Sequence, residues 1–137
     1  MSEIQTNISG NVKEESKRIL IVEDDEISKD VMILFLKGSY DVDAVSSAKD
    51  AMDIVDKNRY SLILMDINLG RGMTGIELTK LIKQKPYFGD VPIVAITAFA
   101  MRGDKEEFMA SGFDHYLAKP FTREELKAII KKYIKSS

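Results

Sequence analysis

Four stretches of this chain end an apolar run on a side chain that can do chemistry. Ser61-Leu62-Ile63-Leu64-Met65 leads into Asp66, and Ile67-Asn68-Leu69-Gly70 follows. Arg18-Ile19-Leu20-Ile21-Val22 leads into Glu23, Asp24 and Asp25. The run Val91 to Ile96 closes on Thr97, and His115-Tyr116-Leu117-Ala118 closes on Lys119-Pro120. A short apolar run bounded by turn signals reads as a strand buried on both faces of a parallel sheet. In open α/β sheets, ligands bind beyond the carboxyl ends of the strands. Asp66 alone is explained equally well as the cap of the turn after its strand. The set is more informative, because adjacent strands would bring Glu23, Asp24, Asp66, Thr97 and Lys119 to one edge.

Three carboxylates gathered within a few ångströms repel one another, by about 4 kcal/mol per pair at ~4 Å and an effective dielectric near 20. Lys119 offsets one charge. A hard divalent ion such as Mg²⁺ offsets two more, and it typically takes one or two carboxylates while keeping several waters. Metal, ammonium and hydroxyl together suit a phosphoryl group: the cations neutralise its oxygens and Thr97 donates a hydrogen bond to one of them. A carboxylate can itself be the nucleophile, giving an aspartyl-phosphate. Glu23 and Asp24 are neighbours and can share the ion, whereas Asp66 stands on the central strand and is the better nucleophile.

The surrounding elements must hold that edge together. Ile27, Val31, Leu34 and Phe35 recur at helical spacing, and Gly38 stops that helix. Tyr40 to Val45 alternates, with Asp41 and Asp43 on the wetter face, as an edge strand does. Ser47 opens a helix with Ala48, Ala51, Met52 and Val55 as its stripe. Gly70-Arg71-Gly72-Met73-Thr74-Gly75 is a loop whose glycines supply positive-φ turns; no Gly-Lys-Ser/Thr follows, so it is not a P-loop. A helix runs from Gly75 to Lys85, with Ile76, Leu78, Leu81 and Ile82 apolar, and Pro86 ends it. Ala98 to Met101 is an apolar loop, and a weakly supported helix spans Asp104 to Ala110. Thr122 and Glu125 form a capping box ahead of the stripe Leu126, Ile129, Ile130, Tyr133 and Ile134. Lys127, Lys131 and Lys135 form a solvated face, with an anionic partner the lesser alternative. Five β-α units in succession imply a parallel sheet covered on both faces. Residues 1–16 are polar, read as a flexible tail, and 17–137 form one domain.

Composition narrows the function. With 20 basic and 22 acidic residues the net charge is −2, which argues against non-specific nucleic-acid binding. There are no cysteines and His115 is the one histidine, so thiolate chemistry and multi-histidine metal sites are excluded. Neither a membrane span nor a secretory signal is visible, and a cytoplasmic protein is expected.

At Ile-Val-Glu23-Asp24, Leu-Met-Asp66-Ile-Asn68, Ala-Ile-Thr97-Ala and Tyr116-Leu-Ala-Lys119-Pro120, the chain resembles the receiver domain of bacterial two-component response regulators. The match spans about residues 17–135. The resemblance implies a flavodoxin-like α/β fold with strand order 2-1-3-4-5. It implies Asp66 as phosphoacceptor, Glu23 and Asp24 as the Mg²⁺-binding acidic pair, and the Asn68 carbonyl completing the metal shell. Thr97 and Lys119 would hold the phosphoryl group, Tyr116 would be the aromatic switch, and Lys119-Pro120 matches a peptide that is cis in this family. Three departures stand out. The first acid is Glu, Asp25 adds a third acid that reads as a helix N-terminal charge, and Leu69-Gly70-Arg71-Gly72 replaces a Pro-containing loop with one residue more.

The resemblance implies a phosphorelay receiver taking phosphate from a histidine kinase or histidine phosphotransfer protein. It would signal through the face made by the Asp104–Ala110 helix, the His115–Ala118 strand and the last helix. No segment is left for a DNA-binding or enzymatic output domain. Output is therefore expected through an unknown protein partner, unless the chain is one module of a hybrid kinase. The rivals are an aspartate-nucleophile phosphatase, disfavoured because Asn68 stands where such enzymes usually place a second Asp, and a degenerate receiver acting only as an adaptor.

Overall fold

The computed structural model describes residues 18–70, 72–98 and 110–134. The expected tail, residues 99–101 of the apolar loop, residues 104–109 of the weakly supported helix, and Lys135 lie outside them. The described elements are β1 (Arg18–Val22), α1 (Glu26–Leu36), β2 (Asp41–Val45), α2 (Ala48–Lys57), β3 (Leu62–Asp66), α3 (Gly75–Lys83), β4 (Ile93–Thr97), β5 (His115–Ala118) and α4 (Arg123–Tyr133). All strand pairings are parallel and the order is β2-β1-β3-β4-β5, as expected.

Alternation along the strands divides the core in two. Leu20, Val22, Ile63, Met65, Ile93 and Ala95 face one layer, with Ala51 and Val55 of α2 and Leu78 and Ile82 of α3. Ile19, Ile21, Leu62, Leu64, Val94 and Ile96 face the other, with Met32 and Leu36 of α1 and Leu126, Ile129 and Ile130 of α4. Continuous apolar strands follow from having both faces covered. β2 is at the sheet edge; its Asp43 accepts from Arg18 Nη2 at 2.9 Å and from the Tyr60 hydroxyl.

Three of the four helix caps are as the sequence predicts, and the fourth, at Thr74, is an addition. Asp25 caps α1, accepting from Ser28 N. Ser47 caps α2 through Asp50 N, and reciprocal capping boxes start α3 (Thr74, Glu77) and α4 (Thr122, Glu125). The ends of two elements differ from expectation. α3 stops at Lys83, with Gln84 as its C-cap, because the residue before Pro86 is driven out of the helical region. β4 begins at Ile93, since Pro92 has no N–H to give a ladder.

The larger correction concerns α1. Ile27, Val31 and Leu34, expected to face the core, are 76%, 39% and 54% exposed, while Met32 and Leu36 are buried. Phe35, the fourth residue of the expected stripe, packs partly buried against the core, while the other three look outward. In α3, Leu81 is likewise exposed.

The same core contains one polar oddity. Thr79 of α3 is fully buried, and its Oγ1 meets no hydrogen-bond partner among the described residues. An unsatisfied buried hydroxyl is costly and an apolar group of the same shape is not. Thr79→Val should therefore raise stability by about 1 kcal/mol, read as a higher urea midpoint with an unchanged slope.

Candidate functional site

The carboxyl ends of β1, β3, β4 and β5 lie side by side. The ladder sets Val22 opposite Met65, Asp66 opposite Ile96, and Thr97 opposite Ala118. Residues just past those ends therefore share one rim. Glu23 (0%), Asp66 (5%) and Thr97 (5%) are buried, whereas Asp24 is exposed. Glu23, Asp24 and Asp66 each offer an oxygen, and these oxygens lie within 4.8 Å of one another. Lys119 Nζ donates to Glu23 Oε1 at 2.6 Å, and its backbone N–H donates to the Thr97 carbonyl at 2.7 Å. The Lys119-Pro120 bond is cis. Glu23, Asp24, Asp66, Thr97 and Lys119 line one cleft of about 230 Å³.

Lys119 pairs with Glu23, and among the described residues lining the cleft it is the one cation, so Asp66 and Asp24 have no equivalent partner there. The effect is visible on Asp66, whose carboxyl is pushed up from 3.8 to about 7. Burial is the largest cause, followed by the hydrogen bond and the negative charge of Glu23; the Asn68 N–H and Lys119 pull the other way. Three hard oxygen donors, incompletely neutralised and open to water at Asp24, fit a small divalent cation. Asp25 lines the cleft, but its carboxylate is committed to capping α1, and that bond to Ser28 lowers its pKa.

The loop after β3 is tied down at three points. Asn68 N donates to Asp66 Oδ1 at 3.1 Å and Gly70 N donates to Asn68 Oδ1 at 3.2 Å. Gly75 N donates to the Ile67 carbonyl at 2.9 Å. Gly70 and Gly72 have positive φ, +76° and +86°, as the turn reading predicts. Gly75 does not. It is needed because a Cβ there would stand 2.1 Å from the Asp66 carbonyl oxygen. This role is not among those the sequence suggested. Its signal was a glycine, a poor helix former, just inside a well-capped helix start.

Tyr116 is half-buried against the core layer of α2 and α3. It pairs with Ala95 in the ladder, two residues from Thr97, so Tyr116 and Thr97 share a face of the sheet.

Residues 19–131 match the family model described as the response regulator receiver domain. The polar-differentiation response regulator DivK of Brucella anthropi is 34% identical over 119 residues, covering 86% of this chain and 96% of DivK. The receiver domain of sensor histidine kinase PA1611 from Pseudomonas aeruginosa PAO1 superposes with a TM-score of 0.79 at 36% identity, covering 88% of this chain and 98% of that one. That structure has a magnesium ion coordinated in its active-site cleft. The chemotaxis protein CheY4 of Vibrio cholerae gives a TM-score of 0.80 at 26% identity, covering 85% and 97% of the two chains.

Proposed function

Because the chain belongs to the response regulator receiver domain family of two-component signalling, we propose that Asp66 accepts a phosphoryl group from the phosphohistidine of a kinase or phosphotransfer protein. Residues 17–137 form the receiver unit, acting in the cytoplasm. The observation that carries this reading is the meeting of three carboxylate oxygens within 4.8 Å beside a lysine that contacts one of them at 2.6 Å.

Glu23, Asp24, Asp66 and the Asn68 carbonyl would hold Mg²⁺, which when bound draws charge from the phosphoryl oxygens. The residues of the chain do the rest. A carboxylate oxygen of Asp66 attacks phosphorus; a P–O bond forms, the P–N bond breaks, and its electron pair stays on the imidazole. The Lys119 ammonium and the Thr97 hydroxyl take the phosphoryl oxygens. The acyl phosphate carries about −1.5 to −2 where the carboxylate carried −1, and its charge sits on three strong acceptor oxygens. Drawing Thr97 toward that charge frees space on the sheet face it shares with Tyr116, which then turns inward and changes the surface around β5. The chain assists its own phosphorylation and turns over no separate substrate. Asn68, exposed and with its side-chain oxygen committed to Gly70 N, offers no acid for phosphatase turnover.

The experiment is incubation with a small-molecule phosphodonor and Mg²⁺, followed by intact mass. One phosphoryl group should be gained by the parent and none by Asp66→Asn. No gain by the parent would favour a phosphorylation-independent adaptor, and repeated hydrolysis of phosphate esters would favour a phosphatase.

The outward stripe of α1 supports a protein donor. Ile27 and Val31 join Pro120 and Phe121 in lining a hollow of about 200 Å³, with Leu34 exposed one turn beyond Val31. Contiguous exposed apolar surface marks interaction sites, and Lys119 lines both this hollow and the acidic cleft. A partner seated there has its reactive histidine beside Asp66. Ile27→Asp should leave labelling by a small phosphodonor unchanged and slow transfer from a phosphorylated kinase by about tenfold or more, as loss of an apolar anchor does. Equal slowing of both reactions would rule out docking at this face.

A further inference from the structure

The loop after β3 comes close to the acidic pair at Gly70. A Cβ built on Gly70 would lie 2.8 Å from Asp24 Oδ2, closer than real side chains approach, and φ there is +76°. Gly72, in the same loop, has the same kind of backbone, φ +86°, but among the described residues nothing lies within 4 Å of its virtual Cβ. Two glycines with like backbone demands thus differ in what a side chain would meet, the carboxylate of Asp24.

Gly70 is also held relative to the nucleophile. Its N–H donates to Asn68 Oδ1, and Asn68 N donates to Asp66 Oδ1. The chain therefore carries a fixed wall from Asp66 round to Asp24. Asp24 is the exposed member of the three acids, so its carboxylate has the most room to swing into water. Packing against Gly70 limits that freedom on one side.

We propose that Gly70 is a positioning residue for the cation site: its bare Cα lets the Asp24 carboxylate face Glu23 and Asp66, and any side chain there would displace it. This rests on the reading of the cleft as a divalent-cation site. The clash falls on the tip of one short side chain and on no backbone atom. Relief therefore comes by moving the carboxylate, and the cost falls on ion binding more than on folding.

The test compares the parent, Gly70→Ala, Gly72→Ala and Gly70→Asn. Mg²⁺ affinity is measured by calorimetric titration, and apo stability by urea unfolding. Both alanine variants carry the positive-φ strain and should lose comparable apo stability. Gly70→Ala should bind Mg²⁺ about tenfold or more weakly, the scale seen when the support of a ligand is lost, while Gly72→Ala binds it like the parent. Asn tolerates positive φ but has a Cβ, so Gly70→Asn should fold well and still lose affinity. It decides the matter if Gly70→Ala does not fold. Equal affinities for the parent and the two Gly70 variants would overturn the role of Gly70 alone. A parent that binds no Mg²⁺ would overturn the cation-site reading and this inference with it.

Discussion

Asp66→Asn should unfold at a higher urea concentration than the parent at pH 8 without Mg²⁺, although it removes the proposed phosphoacceptor. In the unfolded chain this carboxyl titrates near 3.8, and in the folded chain near 7. Between those values the folded state holds the proton more tightly. The parent therefore has its full stability below about 3.8 and loses part of it as pH rises through about 7. A shift of that size corresponds to about 4 kcal/mol; relaxation at the open, Asp24 side of the cleft brings the expected gain for the variant to ~2 kcal/mol or more. Asn keeps the acceptor for the Asn68 N–H and turns a donor toward Glu23. Urea midpoints at pH 5 and pH 8 check this: the difference between the proteins should open at the higher pH. Added Mg²⁺ should stabilise the parent more than the variant, by mass action on the folded state. A parent and variant with parallel pH profiles would show that Asp66 is ionised at no cost, and the crowding of carboxylates would lose its energetic meaning.

Gly75→Ala should be among the most damaging small substitutions in the chain. Helix propensity alone predicts a gain, of at most about 1 kcal/mol and smaller at the first helical position, so the sign of the effect is a sharp discriminator. The added methyl would sit 2.1 Å from the Asp66 carbonyl oxygen and 2.9 Å from Ile67 Cα. Both are backbone atoms that cannot rotate aside. Either α3 withdraws from β3, uncovering Leu78 and Ile82, or the end of β3 shifts and takes Asp66 with it. A loss of ~3 kcal/mol or more is expected, at the upper end for overpacking, with Mg²⁺ response and phosphoryl gain reduced together. A stabilised variant would show that the close approach of α3 to β3 is dispensable.

Much of the frame is readable from residue types. Runs such as Leu62 to Met65, short and bounded by turn signals, read as strands covered on both faces, and Asp25, Ser47 and Thr122 announce their helices by chemistry that acts within one turn. The convergence of Glu23, Asp24, Asp66, Thr97 and Lys119 follows once strand order is known, and the resemblance supplied that order. Geometry across the sheet was harder. In Val31 to Leu36 all six residues are apolar, so periodicity cannot phase α1. Ile27, Val31 and Leu34 do form a coherent stripe, but the sheet took Met32 and Leu36. Gly75 was opaque for a related reason: its neighbour in space is the backbone of Asp66, nine positions earlier, and backbone leaves no mark in a side-chain pattern.

Lys119 borders two hollows of different character, one acidic and one apolar. Whatever displaces it from one side is felt on the other. Thermodynamic reciprocity then fixes the bargain between them: if an ion in the acidic hollow tightens a guest in the apolar one by some factor, that guest tightens the ion by the same factor. A donor protein arriving at α1 would so prime the cleft for the group it brings, and its departure would loosen the ion left behind.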